Sequence, residues 1–310
     1  MNYPLRNPVL FLVVLSIFIM SCQSNPNKVD SIENIRPEII ESELNADEEE
    51  IKASIEKLLF AAGNYNIEEL VDMVSDKAMI GYSSLRDGVW FNKELSIDEY
   101  FANAKNRKPR PFNEIVSDYT FLVTEGRMAL VKADAIVYKL GIPGAREINH
   151  FTLMKENENW KFLNISWTAI RIEEENRIYD VDIFARSYAQ AWCSKRPDFV
   201  AMYFTENGSL QVNDGDPANG RDAISKVAQG FMTDLPDMMV HFDSLVTKSN
   251  ATEFYWTLIA TNSGPGGTGN KVKLSGYELW QLDSLGLIKS SLGRFPTEEY
   301  TRQLEFGIDN

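Results

Sequence analysis

One order of elements is written twice in this chain, over residues 46–172 and again over residues 178–308, and that repetition restricts the fold more than any single motif. In the first pass, Ala46 to Leu59 (ADEEEIKASIEKLL) sets Ile51, Ile55, Leu58 and Leu59 on one helical face. The acids at its start suit the positive end of the helix dipole. Asn64-Tyr65-Asn66 breaks that helix, and Ile67 to Val74 forms a second, shorter one. A strand around Ala78 to Tyr82 follows, then a loop with Asp87-Gly88. A third helix, Ile97 to Ala104, ends before the Pro109/Pro111 segment. Phe112 to Thr124, Met128 to Leu140 and Ile148 to Lys155 alternate as strands do, and Trp160 to Thr168 closes the set after the polar turn Glu156 to Asn159.

The second pass keeps this order. Val181 to Trp192 is a helix burying Val181, Phe184, Ala185, Tyr188, Ala191 and Trp192. Pro197 to Tyr203 begins another, with Pro197 where a first-turn proline is tolerated. Gly208 to Val212 reads as a short strand and Arg221 to Phe231 as the third helix. Val240 to Ser249, Glu253 to Asn262, Val272 to Leu282 and Leu287 to Phe295 complete the strands. Such a pattern predicts an α+β chain of two tandem cone-shaped domains, each with three helices packed on a strongly bent antiparallel sheet. The helices cover only the concave face, which leaves a conical cavity suited to a small apolar ligand.

Ahead of the repeats, Arg6 supplies a positive charge and Val9 to Met20 (VLFLVVLSIFIM) is an unbroken apolar run. That run falls short of the roughly 20 residues of a permanent membrane helix, so residues 1–21 read as an export signal. Ile19-Met20-Ser21-Cys22 resembles the lipobox of bacterial lipoproteins. The resemblance implies that Cys22 begins the mature protein and carries acyl chains such as palmitate, which anchor it to a membrane. Residues 22–45 then form an acidic flexible tether: between Asp30 and Glu50 nine acids face one base, Arg36. Gln23 and Ser24 carry no acidic retention signal, so the expected location is the cell envelope, at the outer membrane and outside the cytoplasm.

Cysteine usage agrees, since Cys22 and Cys193 are the only two and lipidation of one leaves no partner for a disulfide. Neither His150 nor His241 lies in a motif that marks it as a base for Cys193, which reads as a packed thiol. The net charge of −14, without any basic stripe, speaks against nucleic acid.

The second half resembles the SnoaL-like branch of the nuclear transport factor 2-like superfamily. The resemblance rests on Tyr188-Ala189-Gln190-Ala191-Trp192, Phe204-Thr205-Glu206-Asn207-Gly208, Gly220-Arg221-Asp222-Ala223-Ile224, Pro236-Asp237, Gly264 to Gly269, Ser275-Gly276-Tyr277-Glu278 and Gly293. Phe295 followed by Tyr300 to Leu304 is similar to the family's closing segment. The first half resembles the superfamily more loosely, through His150-Phe151-Thr152-Leu153 and Trp160-Lys161-Phe162. The resemblance implies either small-molecule binding or a polyketide cyclase, dehydratase or ketosteroid isomerase-like activity built on a carboxylate or His in the cone.

Against that pattern the chain departs at two places. Ala260-Thr261-Asn262 stands where a family His is common, and Ser290 to Pro296 lacks the usual carboxylate, aromatic and Asp. Glu278 is the acid/base candidate that remains, with Trp280 on its face and Trp256 and Asn262 sharing a face on the preceding strand. A raised pKa would make Glu278 a base; pairing with Arg294 would make it structural. Tyr203 is a further second-half ligand candidate. In the first half the candidates are His150 and Tyr82, with Trp90 and Trp167 as pocket walls. Asp214 and Asp216 read as a turn rather than a calcium loop, and Gly264 to Gly269 as a hairpin connection, not a phosphate loop. No metal or cofactor is expected. The function expected is non-catalytic binding of a small, partly apolar molecule or of an envelope protein through the cones. The alternative is an isomerase, cyclase or dehydratase using Glu278. The two domains are expected to pair within the chain or to homodimerise through their sheets.

Overall fold

Apolar alternation and helical spacing translate into two successive sets of helices laid on strands. A computed structural model describes residues 45–106, 108–248 and 251–308; the segment read as an export signal, Cys22 and nearly all of the expected tether lie outside them. In the first half the order is α1 (Ala46–Gly63), α2 (Ile67–Met73), β1 (Val74–Arg86), β2 (Val89–Ser96), α3 (Ile97–Lys105), β3 (Asn113–Thr124), β4 (Met128–Lys139), β5 (Ile142–Glu156) and β6 (Asn159–Arg171). The second half repeats it as α4 (Val181–Cys193), α5 (Pro197–Met202), β7 (Phe204–Val212), β8 (Ala218–Asn219), α6 (Arg221–Asp234), β9 (Met239–Thr247), β10 (Thr252–Thr261), β11 (Lys271–Leu282) and β12 (Ile288–Arg294), then adds α7 (Thr297–Phe306).

Each half forms a six-stranded sheet, ordered β2-β1-β6-β5-β4-β3 and β8-β7-β12-β11-β10-β9. The topology is the same, so the duplication extends from sequence pattern to strand order. Neither sheet is wholly antiparallel. The last long strand of each half returns beside the first in parallel, β6 on β1 and β12 on β7. The long excursion through α3 or α6 and four strands provides the crossover that a parallel pairing needs. Register shifts interrupt the ladders at Val116/Asp118 and at Tyr255/Trp256. Such bulges bend a strand and increase its twist, which is how a sheet wraps around its helices.

Local chemistry starts and stops the helices. Asn45 and Glu48 form a reciprocal capping box at α1, and Ser96 and Glu99 form another at α3. Ile51, Ile55, Leu58 and Leu59 of α1 are buried against Val131, Phe151, Leu153 and Phe162, the core of the first half. The second core gathers Phe184, Tyr188, Phe199, Phe204, Phe254 and Trp280, each almost wholly buried. Asn113 at the start of β3 donates a hydrogen bond to Gln190 on α4, and the Asp180 amide donates to the Gly141 carbonyl at 2.9 Å. Both contacts link the halves.

Among the elements that go beyond the sequence pattern are β2 and α7. β2 is an edge strand that pairs with β1 around an Asp87-Gly88 turn in which both residues have positive φ, the backbone that suits a two-residue hairpin. Its first six residues are all exposed, so it carries no alternation to read. α7 starts after Pro296, where the pattern had ended at the last strand. No helix among the described residues is long and apolar enough to cross a membrane.

Candidate functional site

Glu278 stands near the middle of β11, and its side chain points inward between β10 and β12. It is 6% exposed. Three donors converge on its Oε2: Ser291 Oγ at 2.6 Å, Trp280 Nε1 at 2.9 Å and the Tyr188 hydroxyl at 3.1 Å. Burial pushes the carboxyl pKa up, while these three hydrogen bonds pull the other way. Arg294 takes no part. It faces Tyr277 across the β11–β12 ladder, on the side of the sheet opposite Glu278, and pairs with Asp214 at 2.7 Å. The expected loop acid Asp214 is thus a surface ion-pair partner.

The second-half cavity beside Glu278 measures about 60 Å³ and is walled by Trp192, Leu210, Phe231, Trp256, Phe295 and Tyr300, among others. That is far below the roughly 300–1,000 Å³ of typical small-molecule sites. Trp256 lines it, with a buried indole N–H that has no hydrogen-bond partner. Trp280 is fully buried and stacks on Phe254 at 4.6 Å, so it holds Glu278 rather than lining the cavity. Tyr203 packs edge-on against Phe184 and Tyr188 in the core. Asn262 lies just past β10, where its amide donates to Thr268 Oγ1 at 3.1 Å and secures the Gly-rich connection. Cys193 accepts from the Val240 amide at 3.1 Å, and burial raises its thiol pKa.

In the first half the arrangement is different. A cavity of about 450 Å³ opens between the sheet and α1, α2 and α3. Tyr82 and Trp167 form one wall, stacked with ring centroids 4.9 Å apart and planes 19° apart. Leu58, Leu70, Ile80, Leu95 and Phe101 supply apolar surface. At the β3–β5 side three polar side chains face the same space: Glu114, Glu147 and Asn149. Asn149 Nδ2 donates to Glu114 Oε1 at 2.5 Å. Glu147 has no hydrogen-bond donor among the described residues. Burial first, then the neighbouring Glu114 charge, raise its pKa to about 8, with Lys139 opposing weakly. Burial raises Glu114 too, and the Asn149 bond offsets part of that. Ser84 is 7% exposed, and its buried Oγ has no partner. The two bases of the lining, Arg86 and Lys139, are exposed to solvent.

His150 is not part of this site. It is exposed, because on β5 it alternates with Asn149 and points to the other face. Glu147 and Asn149 share their face with the buried Phe151 and Leu153. A carboxylate two residues from an amide, in the inward column of an alternating strand, is the signal by which sequence alone could have found them. Trp90, on β2, is 49% exposed and lies outside the cavity lining.

Ladder register relates the larger cavity of the first half to the smaller one of the second. In the first half Asn149 pairs with Ala133 on β4 and Trp167 on β6, and Glu147 pairs with Ala135. In the second half Glu278 pairs with Phe254 and Gly293, and Gly276 with Trp256. Asn149 and Glu278 therefore occupy equivalent places, as do Glu147 and Gly276. Two inward alanines on β4 correspond to Phe254 and Trp256 on β10. Gly276 makes room for that ring: a Cβ there would sit 2.6 Å from Trp256 Cζ2. The aromatic pair places bulky rings where the first half carries only methyl groups.

No curated protein sequence matches the chain. Solved structures with similar folds include a protein of ketosteroid isomerase-like fold from Catenulispora acidiphila, 13% identical over 41% of this chain and 92% of that one, with a TM-score of 0.36. A nuclear transport factor 2-like protein from Burkholderia pseudomallei is 15% identical over 41% and 99%, TM-score 0.36. A phenazine biosynthesis-related protein from Pseudomonas aeruginosa is 15% identical over 41% and 92%, TM-score 0.33. Residues 185–290, from α4 into β12, match the family model described as SnoaL-like domain. The second half of the chain is therefore a SnoaL-like domain of the nuclear transport factor 2-like superfamily, and the first half repeats its element order and its sheet topology.

Proposed function

We propose that this chain is a lipid-anchored envelope protein that holds a small, partly apolar molecule in the cavity of its first half. The observation that carries the reading is the contrast between the cones: about 450 Å³ with an aromatic wall and a polar end, against about 60 Å³ beside a carboxylate already engaged by three donors. Apolar walls supply affinity and a few placed polar groups fix orientation, which is the usual composition of a small-molecule site. The second half serves in this reading as a packed support. The anchor rests on the sequence alone, on the apolar run and the Ile19-Met20-Ser21-Cys22 segment. Replacement of Cys22 with Ser should abolish palmitate labelling and release the protein from membranes.

Native mass spectrometry of the detergent-solubilised full chain tests the binding. One released molecule per chain is expected. It should be lost in the double variant Ala135→Trp/Glu147→Gly, which copies into the first cone the Trp256 and Gly276 pair of the second. Retention of the molecule by a folded double variant, or release of nothing from the wild type, would sink the reading.

A second reading, a cofactor-independent isomerase, cyclase or dehydratase, is favoured by one observation. The Glu147 carboxyl sits at about 8 inside an apolar cavity, poised to give or take a proton near neutral pH. It moves the acid/base role from Glu278 to Glu147. The released molecule separates the readings, because an enzyme would yield a mixture of substrate and product that Glu147→Gln freezes at substrate.

A further inference from the structure

We infer that the molecule held in the first cone carries a basic nitrogen, bound as an ammonium between Glu114 and Glu147 with its apolar part against the Tyr82–Trp167 wall. This inference rests on the binding reading given above and adds the chemical class of the ligand.

Three observations converge. Glu114 reaches inward from β3 and Glu147 from β5, both into the same cavity, and the Glu114 charge is felt at Glu147. Asn149 donates to Glu114 only, which leaves Glu147 and the outer lone pairs of Glu114 facing empty space. Ser84, buried on β1 and facing the same cavity, has an Oγ with no partner. An ammonium offers up to three N–H donors and no acceptor. The two carboxylates supply acceptors for it, and Ser84, across β6 from Glu147, adds a hydroxyl oxygen to the same cavity wall. A stacked aromatic pair suits either a cation over a ring face or the hydrocarbon attached to it.

Charge argues the same way. The other charged or titratable groups of the lining are Arg86 and Tyr82 on β1, Lys139 on β4, Tyr100 on α3 and Tyr65 after α1. Both bases are exposed, and Lys139 only partly offsets the burial and the Glu114 charge that raise the Glu147 pKa. Two half-buried carboxylates that share one cavity do not both ionise readily, and Glu147 keeps its proton near neutral pH. An incoming ammonium allows both to ionise. Binding should therefore expel that proton: the ligand enters as R–NH3+, Glu147 passes from COOH to COO−, and one proton goes to solvent. A neutral or anionic ligand of the same shape gains nothing from this exchange.

Isothermal titration calorimetry on the detergent-solubilised full chain, after removal of any bound molecule, tests it with three probes of one skeleton: 2-phenylethylamine, 2-phenylethanol and phenylacetate. The amine should bind at least about tenfold more tightly than the alcohol, as charge-assisted hydrogen bonds imply. Heats compared in two buffers of different ionisation enthalpy should show release approaching one proton at pH 7. Glu147→Gln, which keeps the side chain's shape, should reduce amine binding to the level of the alcohol and remove the proton release. Equal or tighter binding of the alcohol or of phenylacetate overturns the ammonium assignment and leaves the binding reading intact. An absence of binding by all three at millimolar concentration overturns both.

Discussion

The indole nitrogen of Trp280 donates a 2.9 Å hydrogen bond to Oε2 of Glu278, two residues earlier on the same strand. Ser291 Oγ and the Tyr188 hydroxyl donate to the same oxygen, and all four residues are buried. A buried donor that loses its acceptor costs about 1–3 kcal/mol. Glu278→Leu removes the acceptor from three donors at once and should destabilise the fold by about 3–5 kcal/mol. Glu278→Gln keeps one acceptor oxygen and should cost about 1 kcal/mol. Urea unfolding of the two variants checks this. Equal losses would mean that shape, not the hydrogen-bond network, is what the site contributes.

The raised carboxyls predict a falling stability curve between weakly acidic and weakly basic pH. Glu147 titrates at about 8 in the folded chain and near the ordinary Glu value when unfolded. Between those limits the folded state binds the extra proton, so stability falls as pH rises through the window from about 4.5 to about 8. Glu114 and Glu278, also raised, add to the same slope. Asp134, Asp237 and Glu299 are lowered, so their contribution is lost only as pH falls below about 4. Glu147→Gln should flatten the curve above pH 5 and make the variant more stable than the wild type at pH 8. Chemical unfolding at a series of pH values reads this directly, and an unchanged slope in the variant would contradict the buried placement of Glu147.

Gly276 and Trp256 face one another across β11 and β10, and a Cβ at residue 276 would lie 2.6 Å from both the Trp256 ring and the Arg294 carbonyl oxygen. Overpacking of this kind costs about 1–3 kcal/mol. Gly276→Ala should show that loss in the wild type and a smaller one in a Trp256→Ala background, where only the backbone contact remains. A double-mutant cycle measures the difference; about 1 kcal/mol of coupling is expected.

These pairs also show which parts of the molecule a single sequence discloses. The face of α1 was readable because Ile51, Ile55, Leu58 and Leu59 recur at helical spacing and are all buried. β2 was not, since an exposed edge strand needs no apolar alternation. Glu147 escaped because the strand seemed to begin at Ile148, after Pro143-Gly144. In the fold β5 runs through Pro143, which is tolerated because β6 joins the ladder only from Ala145 onward and β5 has a single neighbour before it. Had the strand been extended, parity alone would have placed Glu147 and Asn149 inward and His150 outward. The open and closed cones were less accessible still. They depend on which residue of β4 or β10 lies opposite which residue of β5 or β11, and that register is a property of long-range pairing rather than of local pattern.

α3 covers the first cavity, to which Ile97, Tyr100, Phe101, Asn103 and Ala104 contribute, so the stability of that short helix bears on binding. Its start depends on a reciprocal cap: the Glu99 amide donates to Ser96 Oγ at 3.3 Å, and the Ser96 amide donates to Glu99 Oε2 at 2.9 Å. The Ser96 amide and hydroxyl, which both donate to the Glu99 carboxylate, hold it below its usual pKa. Helices of this length are marginal without tertiary support, and the cap is one of the few local terms in their favour. Ser96→Ala should cost about 1 kcal/mol. The loss falls on local opening rather than on the whole fold, so amide exchange across Ile97–Lys105 should accelerate roughly fivefold while exchange in β4 and β5 stays unchanged. Whatever occupies the cavity should dissociate faster by a similar factor. Faster exchange with an unchanged dissociation rate would show that α3 is a wall the ligand does not pass.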